Sequence, residues 1–154
     1  MDIRANAPFP ASALSNFEAY DFVFDGVPCA GMEGLMQALK IEDHALQKQV
    51  CLLTGKTAKK FGQDYNSTWK SVQTLWWKGR AYARESGAYQ ELVDRAFDAL
   101  ATNARFQEVL VSTGTETLTH SIGSHDPKET VLTEEEFCSR LTKLRSSLAQ
   151  EAKG

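Results

Sequence analysis

The sequence predicts a single α+β domain that is mostly helical and carries a small β-sheet. Its 154 residues fall within the usual size of one domain that buries its own core. Apolar residues recur at helical spacing in several separate segments, which together cover most of the chain. One short segment instead places alternating apolar residues around an Asp25-Gly26 pair, a pattern typical of a β-hairpin.

The first third of the chain should contain this hairpin and a helix. Residues 1–13 include Pro8 and Pro10 and show no periodicity, so we expect them to be extended or loosely ordered. The hairpin should cover residues 21–29, because the glycine tolerates the positive φ angle of a tight turn. A helix is predicted over residues 32–43, where one apolar face is formed by Met32, Leu35, Met36 and Leu39.

Further helices and one strand are predicted along the rest of the chain. The helices should cover residues 44–53, 57–61, 68–85, 88–101 and 104–112, with Thr54-Gly55 closing the first of them and a polar loop at 63–67. Residues 115–122 alternate and predict a strand of the small sheet, with Leu118, His120 and Ile122 on one face. Thr133 and Glu136 form a capping box before a last helix that should fray over residues 149–154.

Composition limits the classes of protein that the chain can be. A net charge of −3 argues against strong sequence-independent binding to nucleic acid. The odd number of widely spaced cysteines (Cys29, Cys51 and Cys138) indicates free thiols in a reducing compartment and no metal site. Neither a signal peptide nor a membrane span is expected, so we expect a cytoplasmic protein that is a monomer or a small homo-oligomer.

The predicted helix over residues 32–43 carries an unusual polar stripe along its edge. Glu33, Gln37, Lys40 and His44 follow one another at i, i+4, i+7 and i+11. Such a stripe can be a solvated flank stabilised by side-chain pairs. It can also be a ligand-facing edge, where a partly desolvated amine loses its proton and becomes a nucleophile. The spacing alone leaves both interpretations open.

An ordered set of short motifs resembles the opening signature of the NADAR family of YbiA-like proteins. The motifs are Leu14-Ser15-Asn16-Phe17, then Asp25-Gly26-Val27, then Met32-Glu33-x-x-x-Gln37-Ala38-x-Lys40. Gly34 stands where that family usually has a histidine. The resemblance is looser beyond this third of the chain: residues 58–62, 97–114 and 120–126 are similar to later family segments, but the Trp-Gly pair of the family is missing.

The resemblance implies an N-glycosidase that acts on an ADP-ribosylated base of the guanine type, or on a related ribosylated metabolite, without a cofactor. Lys40 would attack the anomeric carbon and pass through a Schiff base, with Glu33 and Asp126 as the other catalytic groups. The residues expected to bind the substrate are Ser15, Asn16, Phe17, Gln37, Trp76, Trp77, His120 and Gly123. One of the tryptophans would replace the lost stacking group. We expect Asn16, Glu33, Lys40 and Asp126 to converge on one cleft.

Other interpretations of the same residues remain open. The chain could be a module that binds ADP-ribose or another NAD-derived nucleotide without turning it over, or, with less support, a protein-interaction domain. Lys40 could be a surface lysine whose alkyl stem alone is buried. Asp126, which precedes Pro127, could simply form a turn. His120 could be a hydrogen-bonded core histidine.

Overall fold

The computed structural model describes residues 1–153, and its architecture confirms the predicted α+β class. Two two-stranded antiparallel sheets accompany the helices within these residues. A 3-10 helix at Ser12–Leu14 precedes β1 (Phe22–Phe24) and β2 (Val27–Cys29), and β3 (Thr74–Trp77) and β4 (Arg80–Ala83) form the second sheet. The helices are α1 (Met32–Ala38), α2 (His44–Val50), α3 (Gly55–Gln63), α4 (Asn66–Val72), α5 (Gly87–Leu100), α6 (Ala104–Ser112) and α7 (Glu134–Lys153). No helix among the described residues is both long enough and apolar enough to cross a membrane.

The first hairpin forms as the Asp25-Gly26 pair predicts. Both turn residues have positive φ angles, 48° for Asp25 and 80° for Gly26. Phe24 pairs with Val27 beside the turn, and both side chains are buried. The carboxylate of Asp25 also accepts hydrogen bonds from Trp77 Nε1 at 2.9 Å and from Arg95 Nη1 at 2.7 Å. The turn thereby joins the first hairpin to the second hairpin and to α5.

The single helix predicted over residues 68–85 is wrong, because the segment divides into α4 and a second hairpin. Gln73 ends α4 in the left-handed conformation with φ 47°. Lys78 and Gly79 then form a turn with φ angles of 50° and 81°, so that Thr74–Trp77 pairs with Arg80–Ala83. Along β3 the side chains alternate, and Leu75 and Trp77 are the buried ones.

Several predicted helix ends are displaced, and the most important is the end of α1. This helix stops at Ala38, so Lys40 lies in the turn that follows it. The next helix, α2, ends at Val50, and Gly55 does not cap it but begins α3. Residues 63–67, expected as a loop, end α3 and begin α4.

The strand predicted over residues 115–122 does not form, and the N-terminal segment is less loose than expected. Thr119 makes a single parallel bridge to Asp2, and the bridge does not extend to either hairpin. Ile122, expected on an inward face, is 68% exposed. Ile3 is fully buried and donates its N–H to Thr119 O at 2.8 Å. Residues 1–3 are thus extended but packed against the segment that was taken for a sheet strand.

The last helix begins with the capping box that the sequence predicts. Thr133 N donates to Glu136 Oε1 at 2.8 Å, and Glu136 N donates to Thr133 Oγ1 at 3.1 Å. Glu136 also receives two hydrogen bonds from Arg84, whose side chain is 1% exposed. The helix α7 extends to Lys153, Gly154 lies outside the described residues, and the fraying expected over residues 149–154 stays a prediction.

We predict that Gly34→Ala destabilises the fold. A β-carbon on Gly34 would lie 2.8 Å from the carbonyl oxygen of Val50 and still closer to that of Leu53, so α1 and the end of α2 would have to separate. Overpacking of this kind costs about 1–3 kcal/mol. Urea unfolding of Gly34→Ala should show this loss, whereas Gly87→Ala, where a β-carbon meets nothing within 4 Å, should change the free energy of unfolding by less than about 0.5 kcal/mol. Equal stabilities for the two variants would contradict the close packing at Gly34.

Candidate active site

A cavity of about 340 Å³ opens where α1, α3 and α4 meet the loops on either side of residue 126. We call it the Lys40 cavity. Its lining residues come from segments far apart in sequence: Ala5, Ser15, Asn16, Phe17, Glu33, Met36, Gln37, Lys40, Lys59, Asn66, Trp69, His120, Ile122, Gly123, Ser124, Glu129, Thr130, Val131, Leu132 and Phe137. The lining combines apolar and aromatic side chains with many polar and charged ones, which converge on the space as they do in small-molecule sites.

Lys40 is the most unusual ionisable group in this cavity. Its side chain is almost entirely buried, with a relative exposure of 8%, and its Nζ donates to Asn66 Oδ1 at 2.6 Å. Burial lowers the pKa of Lys40 from 10.5 to about 8, because the charged ammonium loses its hydration. Glu33 opposes this shift, whereas the positive charges of Lys70 and Lys59 add to it. About a tenth of the amine is therefore neutral at pH 7.

Glu33 is shifted in the opposite direction. Burial raises the pKa of Glu33, and the hydrogen bond from Gln37 and the charge of Lys40 offset part of that rise. Gln37 Nε2 donates to Glu33 Oε1 at 3.0 Å, as expected for residues four apart on one helix. The backbone N–H of Glu33 donates to the carbonyl oxygen of Asn16 at 3.2 Å. The elbow at residues 14–17 therefore caps the helix that carries both Glu33 and Gln37.

His120 enters the cavity from the opposite side with its ring fixed. Its Nδ1 lies 2.7 Å from the carbonyl oxygen of Ile3, and its ring meets the edge of Phe137 with centroids 5.4 Å apart. Gly123 leaves room for this ring, because a β-carbon there would lie 2.6 Å from His120 Cδ2. The absence of a side chain at Gly123 therefore allows the imidazole to occupy this position.

The structure gathers eight of the predicted site residues around the cavity. They are Ser15, Asn16, Phe17, Glu33, Gln37, Lys40, His120 and Gly123. His44, the last residue of the predicted polar stripe, instead packs its ring against Trp77 at 5.5 Å, because the stripe is broken where α1 ends.

Three predicted site residues lie outside the cavity lining. Asp126 is exposed, and its carboxylate accepts the backbone N–H of Lys128 at 2.9 Å, so it forms a turn as its position before Pro127 allows. Trp77 is buried against Phe24 at 5.3 Å, in the stacking of the two hairpins. The side chain of Trp76 does not line the cavity, and its backbone N–H donates to Leu39 O at 2.9 Å. The structure does not bring these three residues together with the other eight.

Three of the residues that line the cavity but were not among the predicted site residues are Asn66, Trp69 and Lys59. Asn66 was placed in a polar loop, yet it begins α4 and contacts Lys40. Trp69 lies one helical turn after Asn66 and borders the same space. Its Nε1 is buried without a hydrogen-bond partner among residues 1–153. Lys59 lines the cavity with its amine 6.0 Å from the Phe17 ring centroid.

Comparisons with known proteins identify the family. Residues 8–146 match the family described as "Bacteriophage protein GP30.3". The chain belongs to this family. One similar protein, from Enterobacteria phage T4 and described as "Uncharacterized 17.1 kDa protein in Gp30-rIII intergenic region", is 37% identical over 150 residues, 96% of this chain and 98% of the T4 protein.

The GP30.3-family chain also shares its fold with a solved structure. The NMR structure of the E. coli protein YbiA superposes with a TM-score of 0.65 and 17% sequence identity, over 99% of this chain and 86% of YbiA. The YbiA-like fold that the predicted resemblance to the NADAR family implies is confirmed. Within residues 1–153 of this GP30.3-family protein, no group of three or more His, Cys, Asp or Glu residues is placed to hold a metal ion.

The buried charge of Lys40 should cost this GP30.3-family protein stability at neutral pH. The pKa of Lys40 in the folded protein, about 8, lies below its ordinary value of 10.5. Folding at pH 7 therefore costs the free energy of burying the charged amine, and this cost disappears as the pH rises toward 10.5. We predict that Lys40→Met raises the free energy of unfolding by about 1–2 kcal/mol at pH 7 and by less near pH 10.

The matched control is Lys48→Met, because Lys48 is an exposed lysine of α2. It should change the free energy of unfolding at pH 7 by less than about 0.5 kcal/mol. Urea unfolding of both variants at the two pH values gives the comparison. If Lys40→Met is less stable than the wild-type protein at pH 7, the contacts of the Lys40 amine fully offset the cost of burying it, and the prediction is wrong.

Proposed function

We propose that the chain is an N-glycosidase that hydrolyses the bond between a ribose and a nitrogenous base, in an ADP-ribosylated base of the guanine type or a related ribosylated metabolite. One observation supports this most: an amine whose pKa is lowered to about 8 shares a cavity with a carboxyl group whose pKa is raised. Lys40 can thus supply a neutral nucleophile while Glu33 holds a proton. This is the protonation state that glycosidic cleavage by an amine requires.

The first step forms one bond and breaks another at the anomeric carbon. The lone pair of Lys40 Nζ attacks C1 of the ribose, and the bond from C1 to the base nitrogen breaks with its electron pair on that nitrogen. Glu33 donates its proton to the leaving base and becomes a carboxylate. Asn66 Oδ1, 2.6 Å from Nζ, fixes the direction of the amine for this attack.

The second stage releases the sugar. A proton moves from the Lys40 nitrogen to the ring oxygen, the bond from C1 to that oxygen breaks, and a protonated Schiff base remains between C1 and Lys40. Water then adds to C1, and the bond from C1 to nitrogen breaks to return the amine and a sugar with a free anomeric carbon. The net reaction is addition of one water across the glycosidic bond.

The cavity suits a ribose with its attached base. Its volume of about 340 Å³ is near the small end of ligand pockets, which span roughly 300–1,000 Å³. Phe17 is the partly exposed aromatic residue of its wall, and stacking of a base on such a ring is worth about 1–3 kcal/mol in nucleic-acid sites. Lys59 adds a positive charge for a phosphate of the substrate.

We predict that Lys40→Arg abolishes turnover while the protein stays folded. Arginine keeps the positive charge but supplies no neutral amine near pH 7, since its pKa exceeds about 12. The protein should be incubated separately with ADP-ribosylated guanosine, NAD and ADP-ribose, and the products followed by mass. Borohydride added during turnover should trap a sugar adduct that peptide mapping places on Lys40.

Lys60→Arg is the matched control, because Lys60 is an exposed lysine of α3 that does not line the cavity. It should leave both turnover and the trapped adduct unchanged. Normal turnover by Lys40→Arg, or an adduct on Lys59, would overturn the mechanism. Tight binding of ADP-ribose with no product from any of the three compounds would instead identify a binding module without catalysis.

A separate prediction tests Glu33 as the proton donor. Glu33→Gln keeps the shape of the side chain but removes the transferable proton, so turnover should fall by about 10²–10⁴-fold. The loss should be smaller for a ribosylated base that leaves readily without protonation. Glu42→Gln, which alters an exposed carboxylate outside the cavity, serves as the control. An equal loss for good and poor leaving bases would remove Glu33 from the proton transfer.

A further inference from the structure

Resting on the proposed function, we infer that His120 accepts the proton of the water that hydrolyses the Schiff base on Lys40. The contact between His120 Nδ1 and the Ile3 carbonyl oxygen, 2.7 Å long, fixes the tautomer. A carbonyl oxygen can only accept a hydrogen bond, so Nδ1 must carry the ring proton. In the neutral imidazole, Nε2 then has a free lone pair.

The position of the ring brings this lone pair to the substrate space. His120 and Gly123 both line the Lys40 cavity, and a β-carbon on Gly123 would come within 2.6 Å of Cδ2 and 3.3 Å of Nε2. The glycine therefore leaves free the side of the ring that carries Cδ2 and Nε2. The backbone N–H of His120 is also held, by Glu134 Oε1 at 3.0 Å.

The other ionisable groups of the cavity have different parts in the reaction. After the first step Glu33 is a carboxylate, which takes up the last proton of the cycle, and Lys40 is the site of the covalent bond. The side chain of Glu129 is 62% exposed and pairs with Lys70 at 3.2 Å. A lysine ammonium such as that of Lys59 donates hydrogen bonds but has no lone pair to accept a proton. The Nε2 lone pair of His120 is therefore assigned the proton of the attacking water.

The proton balance of hydrolysis closes with this assignment. Water adds to C1 of the protonated Schiff base and gives its proton to His120 Nε2, which leaves a carbinolamine. His120 returns that proton to the Lys40 nitrogen, and the bond from C1 to nitrogen breaks with its electron pair on the nitrogen. The remaining hydroxyl proton passes to the Glu33 carboxylate. Lys40, Glu33 and His120 all return to their starting states.

The charged groups around His120 come from three segments. Glu33 faces it from α1 across the cavity, and a positive charge on the imidazole would act to lower the pKa of Glu33. Glu134 lies at the start of α7, where its Oε2 pairs with His125 at 3.2 Å. Asp2 lies in the N-terminal segment, and its carboxylate accepts hydrogen bonds from the backbone N–H and the hydroxyl of Ser121, the residue after His120.

The test uses His120→Asn in the full chain. The asparagine amide can still donate to the Ile3 carbonyl, so the fold is preserved while the acceptor at Nε2 is lost. With ADP-ribosylated guanosine as the probe, steady-state turnover should fall by about 10²–10³-fold. Base release in the first turnover should continue, so the fraction of protein trapped by borohydride as a Lys40 adduct should rise. A change that merely loosened the cavity would lower the first step and the adduct together.

Two comparisons make the outcome decisive. His125→Asn changes an exposed histidine of the same loop and should match the wild-type protein in turnover and adduct. Gly123→Ala should displace the imidazole without removing it, and should also slow turnover while the adduct accumulates. Thermal melting shows whether His120→Asn and Gly123→Ala fold. If one of these two variants does not fold, the other one provides the measurement.

The failures of the two proposals differ. Wild-type turnover in folded His120→Asn, or loss of the adduct along with turnover in both folded variants, would overturn the role of His120 and leave the glycosidase proposal standing. Absence of a trapped adduct from the wild-type protein would overturn the Schiff-base mechanism, and the role of His120 with it.

Discussion

The early end of α1 is the constraint on which the candidate site depends, and Gln47 maintains it. This fully buried side chain directs its Nε2 at the carbonyl oxygens of Ala38, Ile41 and Trp76, at 3.1, 2.8 and 2.7 Å. Carbonyl oxygens at a helix end have no partner within the helix, and leaving them buried without one is costly. Gln47 satisfies Ala38 and Ile41 on either side of Lys40. The turn that carries Lys40 is thereby held by α2 and by the second hairpin.

The opposite wall of the cavity depends on a buried ion pair. Arg84, the residue after β4, binds Glu136 of α7 in a bidentate pair at 2.6 and 3.1 Å, and its Nε donates to Thr130 O at 2.8 Å. Burial alone would raise the pKa of Glu136, but the hydrogen bonds from Arg84, Thr133 and Gln90 hold that pKa at about 2. Removing one partner of such a pair leaves a buried charge without compensation. The pair therefore fixes the segment around Thr130 that closes the cavity.

Local patterns in the sequence predict the elements whose geometry is itself local. The Asp25-Gly26 hairpin and the Thr133–Glu136 capping box each involve neighbouring residues, and both form as expected. The region after Thr68 was misread because Trp69, Val72 and Trp76 follow helical spacing, and because no local rule predicts the positive φ angle that Lys78 adopts in the turn. The order of motifs selected eight residues that line one cavity. It could not reveal Asn66, whose contact with Lys40 joins positions 26 apart, nor the link between His120 and Ile3 across 117 positions.

The electrostatics of the cavity explain why a divergent family member keeps both Glu33 and Lys40. Burial moves the pKa of the amine down and that of the carboxyl up, so the neutral pair approaches the charged pair in free energy. A surface pair would stay ionised at pH 7, and neither nucleophile nor proton donor would be available. Burial of Lys40 at 8% exposure costs stability, which Asn66 recovers in part through one hydrogen bond. A chain selected for stability alone would replace this lysine with an apolar residue of the same length, and the burial of Lys40 agrees with the nucleophilic role proposed for it.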